Sequence, residues 1–101
     1  MKVKIEKFQY GSLDEKNVRY HLEHKMGWKV ERLFYSPSKT FNKETSPRDR
    51  HLLIEKGKLR ITMGDDVVEL SEGDMFTIPA QQEHLIAVAS PMTAILYNIK
   101  K

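Results

Sequence analysis

The residues with the clearest capacity for chemistry lie in the second half, in Gly73-Asp74-Met75-Phe76-Thr77-Ile78-Pro79-Ala80-Gln81-Gln82-Glu83-His84. Gly73-Asp74 turns the chain into a strand, Phe76 and Ile78 share one face of it, and Pro79 ends it. The chain then turns back, and His84 opens the next strand, Leu85 to Ala89. A histidine beside a turn at a strand start sits near an opening, where an imidazole can bind a metal or a ligand or move a proton. His84 is therefore the candidate catalytic residue. His21 and His24 are three apart, so on a strand they face opposite sides and form no clamp. Tyr10, Tyr20, Tyr35 and Tyr97 each carry a phenol able to serve as a general acid, and nothing in their spacing selects one. The chain holds no cysteine, which removes a disulfide framework, a thiolate zinc site and a cysteine nucleophile together.

The elements that must position these groups read as strands. Val3 and Ile5 alternate with charged residues, as do Val18, Tyr20 and Leu22, the mixed stretch from Trp28 to Tyr35, and Leu59, Ile61 and Met63. Short period-two runs ending in turn chemistry predict strands. The breaks fall at Gly11-Ser12, Gly27, Ser36-Pro37-Ser38, Lys56-Gly57, Glu72-Gly73-Asp74 and Pro79-Ala80. Gly64-Asp65, between two apolar runs, predicts a tight hairpin. Ser12-Leu13-Asp14-Glu15 has capping-box spacing and predicts at most one helical turn. Met63, Met75 and Met92 read as core filler and Trp28 as a core or interface residue. Eight or so short strands with almost no helix predict an all-β sandwich or barrel. The polar stretch from Ser36 to Ser46 is the natural loop at its mouth.

Gly73, Pro79 and His84 are spaced as in the second motif of the cupins, which the chain resembles from about Trp28 to Ile99. Gln81 stands where that motif often has glycine, and Val88 where it often has asparagine. Counting back from Gly57 through the first motif puts Arg50 at its glutamate, Ser46 and Glu44 at its two histidines, and Ser38 at its opening glycine. The spacing matches although most of the chemistry differs. The resemblance implies a jelly-roll β-barrel, one domain over residues 1–101, and commonly a homodimer. Most metal-binding cupins hold a divalent ion with three histidines and a glutamate. Carried over by position, this chain offers Glu44, Ser46, Arg50 and His84. Serine is a poor ligand and arginine is a fixed cation, so the standard metal site is expected to be lost and no cofactor is implied. The fallback is a one-residue bulge that turns His51 inward and gives a Glu44/His51/His84 set for a divalent metal.

Without a metal, the same positions make a different pocket. Arg50 and His84 would point inward as donors, Glu44 would pair with Arg50, and Leu52, Phe76 and Ile78 would form the walls. The planar fork of arginine suits a carboxylate or phosphate, so the expected function is binding of a small polar or anionic ligand. Two alternatives stand beside it. One is a cupin enzyme, metal-dependent or using His84 as a base with Arg50 stabilising developing negative charge. The other is an interaction barrel with no open pocket.

The 101 residues carry 17 basic and 14 acidic side chains, 40% hydrophobic residues and 31% charged ones. That composition fits one small core under a heavily charged surface. Both charge signs are interspersed, which argues against a nucleic-acid footprint. No apolar run approaches the length of a membrane span, and the start has no apolar signal core. A cytoplasmic location is expected. The segments Lys2 to Phe8 and Tyr20 to Trp28 are the expected dimer contacts, covering sheet edges.

Overall fold

The computed structural model describes residues 4–37 and 39–101. Residues 1–3 and Ser38 lie outside them, so the start of the expected N-terminal strand and the expected glycine-equivalent position do too. Strand β1 (Glu6–Lys7) is followed by helix α1 (Glu15–Arg19), which widens into a π-helical segment over Tyr20–Lys25. Then come β2 (Lys29–Tyr35), β3 (Arg50–Lys56), β4 (Leu59–Met63), β5 (Asp66–Leu70), β6 (Asp74–Ile78), β7 (Leu85–Val88) and β8 (Ala94–Lys100). One sheet runs β1-β6-β3-β8-β2 and the other β5-β4-β7, with every pairing antiparallel. This is the all-β jelly-roll arrangement that the sequence predicts.

Period-two alternation sorts the side chains into two cores. Leu52 and Ile54 of β3, Phe76 and Ile78 of β6, and Ala94 and Leu96 of β8 face the smaller sheet, where they meet Leu59, Ile61, Leu70 and Ile86. The intervening residues Leu53, Tyr97 and Ile99 face the other way and pack with Val18 and Leu22 of the helix. The larger sheet is thus covered on both faces, with the barrel interior on one and the helix on the other. Gly64-Asp65 forms the predicted hairpin, closing Met63 onto Asp66. Gly57, at φ +86°, takes the chain from one sheet to the other against Ala94. A Cβ there would lie 2.9 Å from the Ser90 hydroxyl and 3.1 Å from the Ala94 Cα, so both backbone conformation and space require glycine.

The helix corrects the strand reading of Val18 to Leu22. Val18 and Leu22 are fully buried while Tyr20 is 48% exposed. Residues four apart share a helical face and the residue midway does not, so a pattern that alternates in sequence serves a helix equally well. The cap is Asp14 rather than Ser12: its Oδ1 accepts from the Asn17 backbone N–H at 2.9 Å. The helical stretch runs on beyond one turn, so Tyr20 to Trp28 is no edge strand, and His21 packs on the ring of Tyr10. β1 is the edge of the larger sheet, but with only two residues. Met63 fills the barrel and Met75 packs in the outer core, whereas Met92 is 53% exposed and is no core filler.

Candidate functional site

At one end of the barrel the strand pattern puts polar groups where the rest of the interior is apolar. Arg50 is the first residue of β3 and lies on the same face as Leu52 and Ile54. Asn98 of β8 continues the face of Ala94 and Leu96, opposite Glu31 of β2 on one side and Leu52 on the other. Glu31, Leu33 and Tyr35 alternate along β2 on that face. The loop segment around Glu44 closes the mouth by pairing with His84, through Glu44 N to His84 O at 3.0 Å and His84 N to Glu44 O at 2.9 Å.

Three of the four expected residues meet through their side chains. Arg50 Nη1 donates to Glu44 Oε1 at 3.0 Å and to His84 Nε2 at 3.1 Å. His84 is almost wholly buried, and its Nδ1 lies 2.9 Å from the Gln82 carbonyl. A carbonyl only accepts, so the proton sits on Nδ1, and Nε2 presents its lone pair to the guanidinium. The ring is thereby oriented with Nε2 toward Arg50. Glu44 Oε1 lies 3.6 Å from the same nitrogen. The fourth expected residue, Ser46, lines the same space, but its hydroxyl accepts from the Arg48 backbone N–H. Its carbonyl accepts from Gln81 N at 2.8 Å, so Ser46 holds the two mouth loops together.

These groups face a cavity of about 360 Å³ that also meets Glu31, Leu33, Tyr35, Phe41 and Asn98. Its apolar walls are Leu33, Tyr35 and Phe41, the last two with ring centroids 4.5 Å apart. The expected walls need correcting: Leu52, Phe76 and Ile78 are packed into the core beneath. Burial pushes the Tyr35 phenol up, with the charge and the hydrogen bonding of Arg50 pulling the other way, so of the four tyrosines this one reaches the mouth, beside Arg50. Tyr97 is instead committed to Glu55, which its hydroxyl meets at 2.5 Å.

The donor set does not fit a divalent metal. Of the four expected residues only Glu44 and His84 have ligating side chains, with Glu31 the one other carboxylate at the cavity, and a cationic nitrogen lies about 3 Å from both Glu44 and His84, so an added ion would meet direct repulsion. The fallback set with His51 is not assembled. The β3–β6 register runs unbroken through Arg50 and His51, and the irregularity of β3 falls between Ile54 and Lys56 instead. His51 accordingly faces the outer side, where its Nδ1 lies 2.9 Å from the Thr77 hydroxyl. Among the described residues no three His, Asp or Glu side chains converge.

Sequence reasoning missed Asn98, Glu31 and Phe41. The signal for Asn98 was present: it is the polar interruption on the inward face of Ala94-Leu96-Asn98. Phe41 sits in an irregular loop, where no period places it. Gln81, at the position of the second motif's second glycine, is the sole non-glycine residue with positive φ among those described, at 65°. The backbone there keeps a shape that suits glycine.

A family model described as "Cupin domain" matches residues 34–100. No curated protein matches the chain. Among solved structures, a cupin superfamily protein from Desulfitobacterium hafniense DCB-2 is 22% identical, with TM-score 0.63, over 72% of this chain and 65% of that one. A protein from Bacillus halodurans is also 22% identical, with TM-score 0.66, over 71% of this chain and 60% of that one. Drosophila melanogaster CENP-C, solved bound to CAL1, is 19% identical, with TM-score 0.61, over 71% and 63%. This chain spans less than two thirds of the length of each of these three, and identities at this level bear on the fold alone. No helix among the described residues is long and apolar enough to cross a membrane.

Proposed function

The chain belongs to the cupin domain family, and from that premise we propose that it is a binding barrel for a small polar or anionic ligand, held at the mouth by Arg50. The single observation that carries this reading is how Arg50 is held. One nitrogen, Nη1, makes both of its side-chain bonds, to Glu44 and to His84. Apart from the neighbouring Tyr35 hydroxyl, the rest of the planar fork has no side-chain partner among the described residues, although the side chain is only 18% exposed. A guanidinium fixed at one corner, with its remaining N–H groups turned to a cavity, is organised in advance for a carboxylate or phosphate. Arg50 borders two cavities at this end of the barrel, and its low exposure strengthens each bond it makes.

The catalytic alternative asks His84 Nε2 to take a proton. That lone pair is already engaged by Arg50, so the geometry favours holding a ligand over reacting with it. An interaction barrel without a pocket is disfavoured by the polar cavity itself. The proposal assigns no metal, a cytoplasmic setting and a homodimer.

Calorimetric titration with acetate, succinate and inorganic phosphate tests the reading. At least one anion is expected to bind, with affinity falling about tenfold or more in Arg50→Ala, since a charge-assisted bond contributes roughly 1.5–3 kcal/mol. His84→Ala is expected to weaken it less. Unchanged affinities in both variants would overturn the proposal.

A further inference from the structure

The cavity at the mouth contains a charge mismatch that bears on its ligand. Around it two exposed carboxylates, Glu31 and Glu44, accompany one cation, Arg50. Ser46, Arg50 and Asn98 also line a second cavity, of about 460 Å³, which opens outward at the barrel end. That cleft carries Arg48, Lys100 and Lys101. Its one carboxylate, Asp49, accepts from the Ala80 backbone N–H at 2.7 Å. Among the described residues, neither Arg48 nor Lys100 lies in an ion pair. Lys101 rests over the Trp28 ring, 4.7 Å from its centroid. The inner space is therefore acidic and the outer cleft basic, with Arg50 on the boundary.

A second observation lies on the inner side. Asn98 Oδ1 is buried and has no hydrogen-bond partner among the described residues. A buried acceptor left unpaired is costly and calls for a donor. Glu31, opposite Asn98 across β2 and β8, is an acceptor too. An anionic group cannot satisfy either, so what enters the inner space must bring hydroxyl or amino N–H or O–H donors.

Resting on the binding reading above, we infer that the ligand is a small hydroxylated phosphate ester. Its phosphate lies in the outer cleft on Arg48, Lys100 and the open edge of Arg50. Its hydroxyl groups reach inward to Asn98 Oδ1 and Glu31. A phosphate monoester carries close to two negative charges at neutral pH. It balances this group of cations better than a carboxylate, and its oxygens serve several donors at once.

The probes are glycerol 3-phosphate, inorganic phosphate and glycerol, titrated into the full chain at low and moderate salt. Glycerol 3-phosphate is expected to bind about tenfold more tightly than phosphate, one to two buried hydrogen bonds being worth that factor. Glycerol alone is expected to give no measurable binding. Asn98→Leu should erase the advantage over phosphate, read as the ratio of the two affinities measured on the same variant. The exposed-site double variant Arg48→Ala/Lys100→Ala should weaken both phosphates and flatten their salt dependence. Circular dichroism of Asn98→Leu checks that it is folded, and Asn98→Asp, of nearly the same shape, should retain the preference if Leu perturbs the barrel. Equal affinity for the two phosphates, or indifference to Arg48→Ala/Lys100→Ala, overturns this inference. The Arg50 reading then still stands if Arg50→Ala weakens phosphate, and falls with it if Arg50→Ala has no effect.

Discussion

Arg32 and Arg50 stand on opposite faces of the same five-stranded sheet and use their guanidinium groups differently. Arg32, on the helix side, donates through Nε and Nη2 to the two oxygens of Glu55, at 3.1 and 2.7 Å. Its Nη1 reaches Glu15 at 3.5 Å, and the Tyr97 hydroxyl donates to the same Glu55. Every nitrogen is committed. Arg50, on the interior side, concentrates both side-chain bonds on Nη1. The two side chains are about equally exposed, 21% and 18%, so burial does not separate them; the commitment of their donors does. A fully engaged fork is a structural clamp, and a fork held at one corner is receptive.

The sharpest way to break this contrast is to disable the clamp. Glu55→Ala leaves the Arg32 cation and the Tyr97 phenol without their shared partner. It is expected to cost about 2–4 kcal/mol in urea unfolding, near the range for orphaning one side of a mostly buried pair. A loss below about 0.5 kcal/mol would contradict the clamp role of Arg32. Next comes Arg50→Ala. Unfolding should lose no more than about 1–2 kcal/mol, because Glu44 is half exposed and hydrates freely and only the buried His84 Nε2 is left without its donor, while anion affinity falls tenfold or more. A large stability loss would reclassify Arg50 as a second clamp.

A third carboxylate extends the comparison to the far edge of the sheet. Asp74 is buried and bonded to Lys7, the Ser71 backbone N–H and the Ser71 hydroxyl. Burial pushes its pKa up, but those donors outweigh burial and hold it below the ordinary aspartate range. A depressed folded value means that the unfolded chain takes up the proton first. The stability is therefore present above about pH 4 and lost as pH falls through the folded value. Asp74→Asn should lower stability at pH 7 by roughly 1–2 kcal/mol and flatten the acid limb below about pH 4. An unchanged acid limb would remove Asp74 from the committed class. The smallest effect is expected at Gln81, where glycine relieves a left-handed conformation. Gln81→Gly should stabilise by about 0.5–1 kcal/mol and leave anion affinity alone, since Gln81 only ties the mouth loop to Ser46.

Much of this was legible from residue types and spacing. Alternation on β3 put Arg50 inward and His51 outward, and the motif spacing brought Glu44, Arg50 and His84 together. What escaped has physical reasons. Val18 and Leu22 fit a strand and a helix equally, and only the buried outer face of the sheet decides for the helix. The cavity walls come from β2 and the loop carrying Phe41, because Leu52, Phe76 and Ile78 are consumed by the core. The Arg32–Glu55–Tyr97 clamp joins three strands, so no local pattern announces it. Which nitrogens of an arginine are left over follows from three-dimensional partners alone.

The central claim, that Arg50 is receptive where Arg32 is not, is tested most directly by following the two arginine Nε–H resonances by NMR during titration with inorganic phosphate. The Arg50 resonance is expected to shift in a saturable way while that of Arg32 stays fixed. A fixed Arg50 resonance at saturating phosphate, or equal movement of both, would contradict the account.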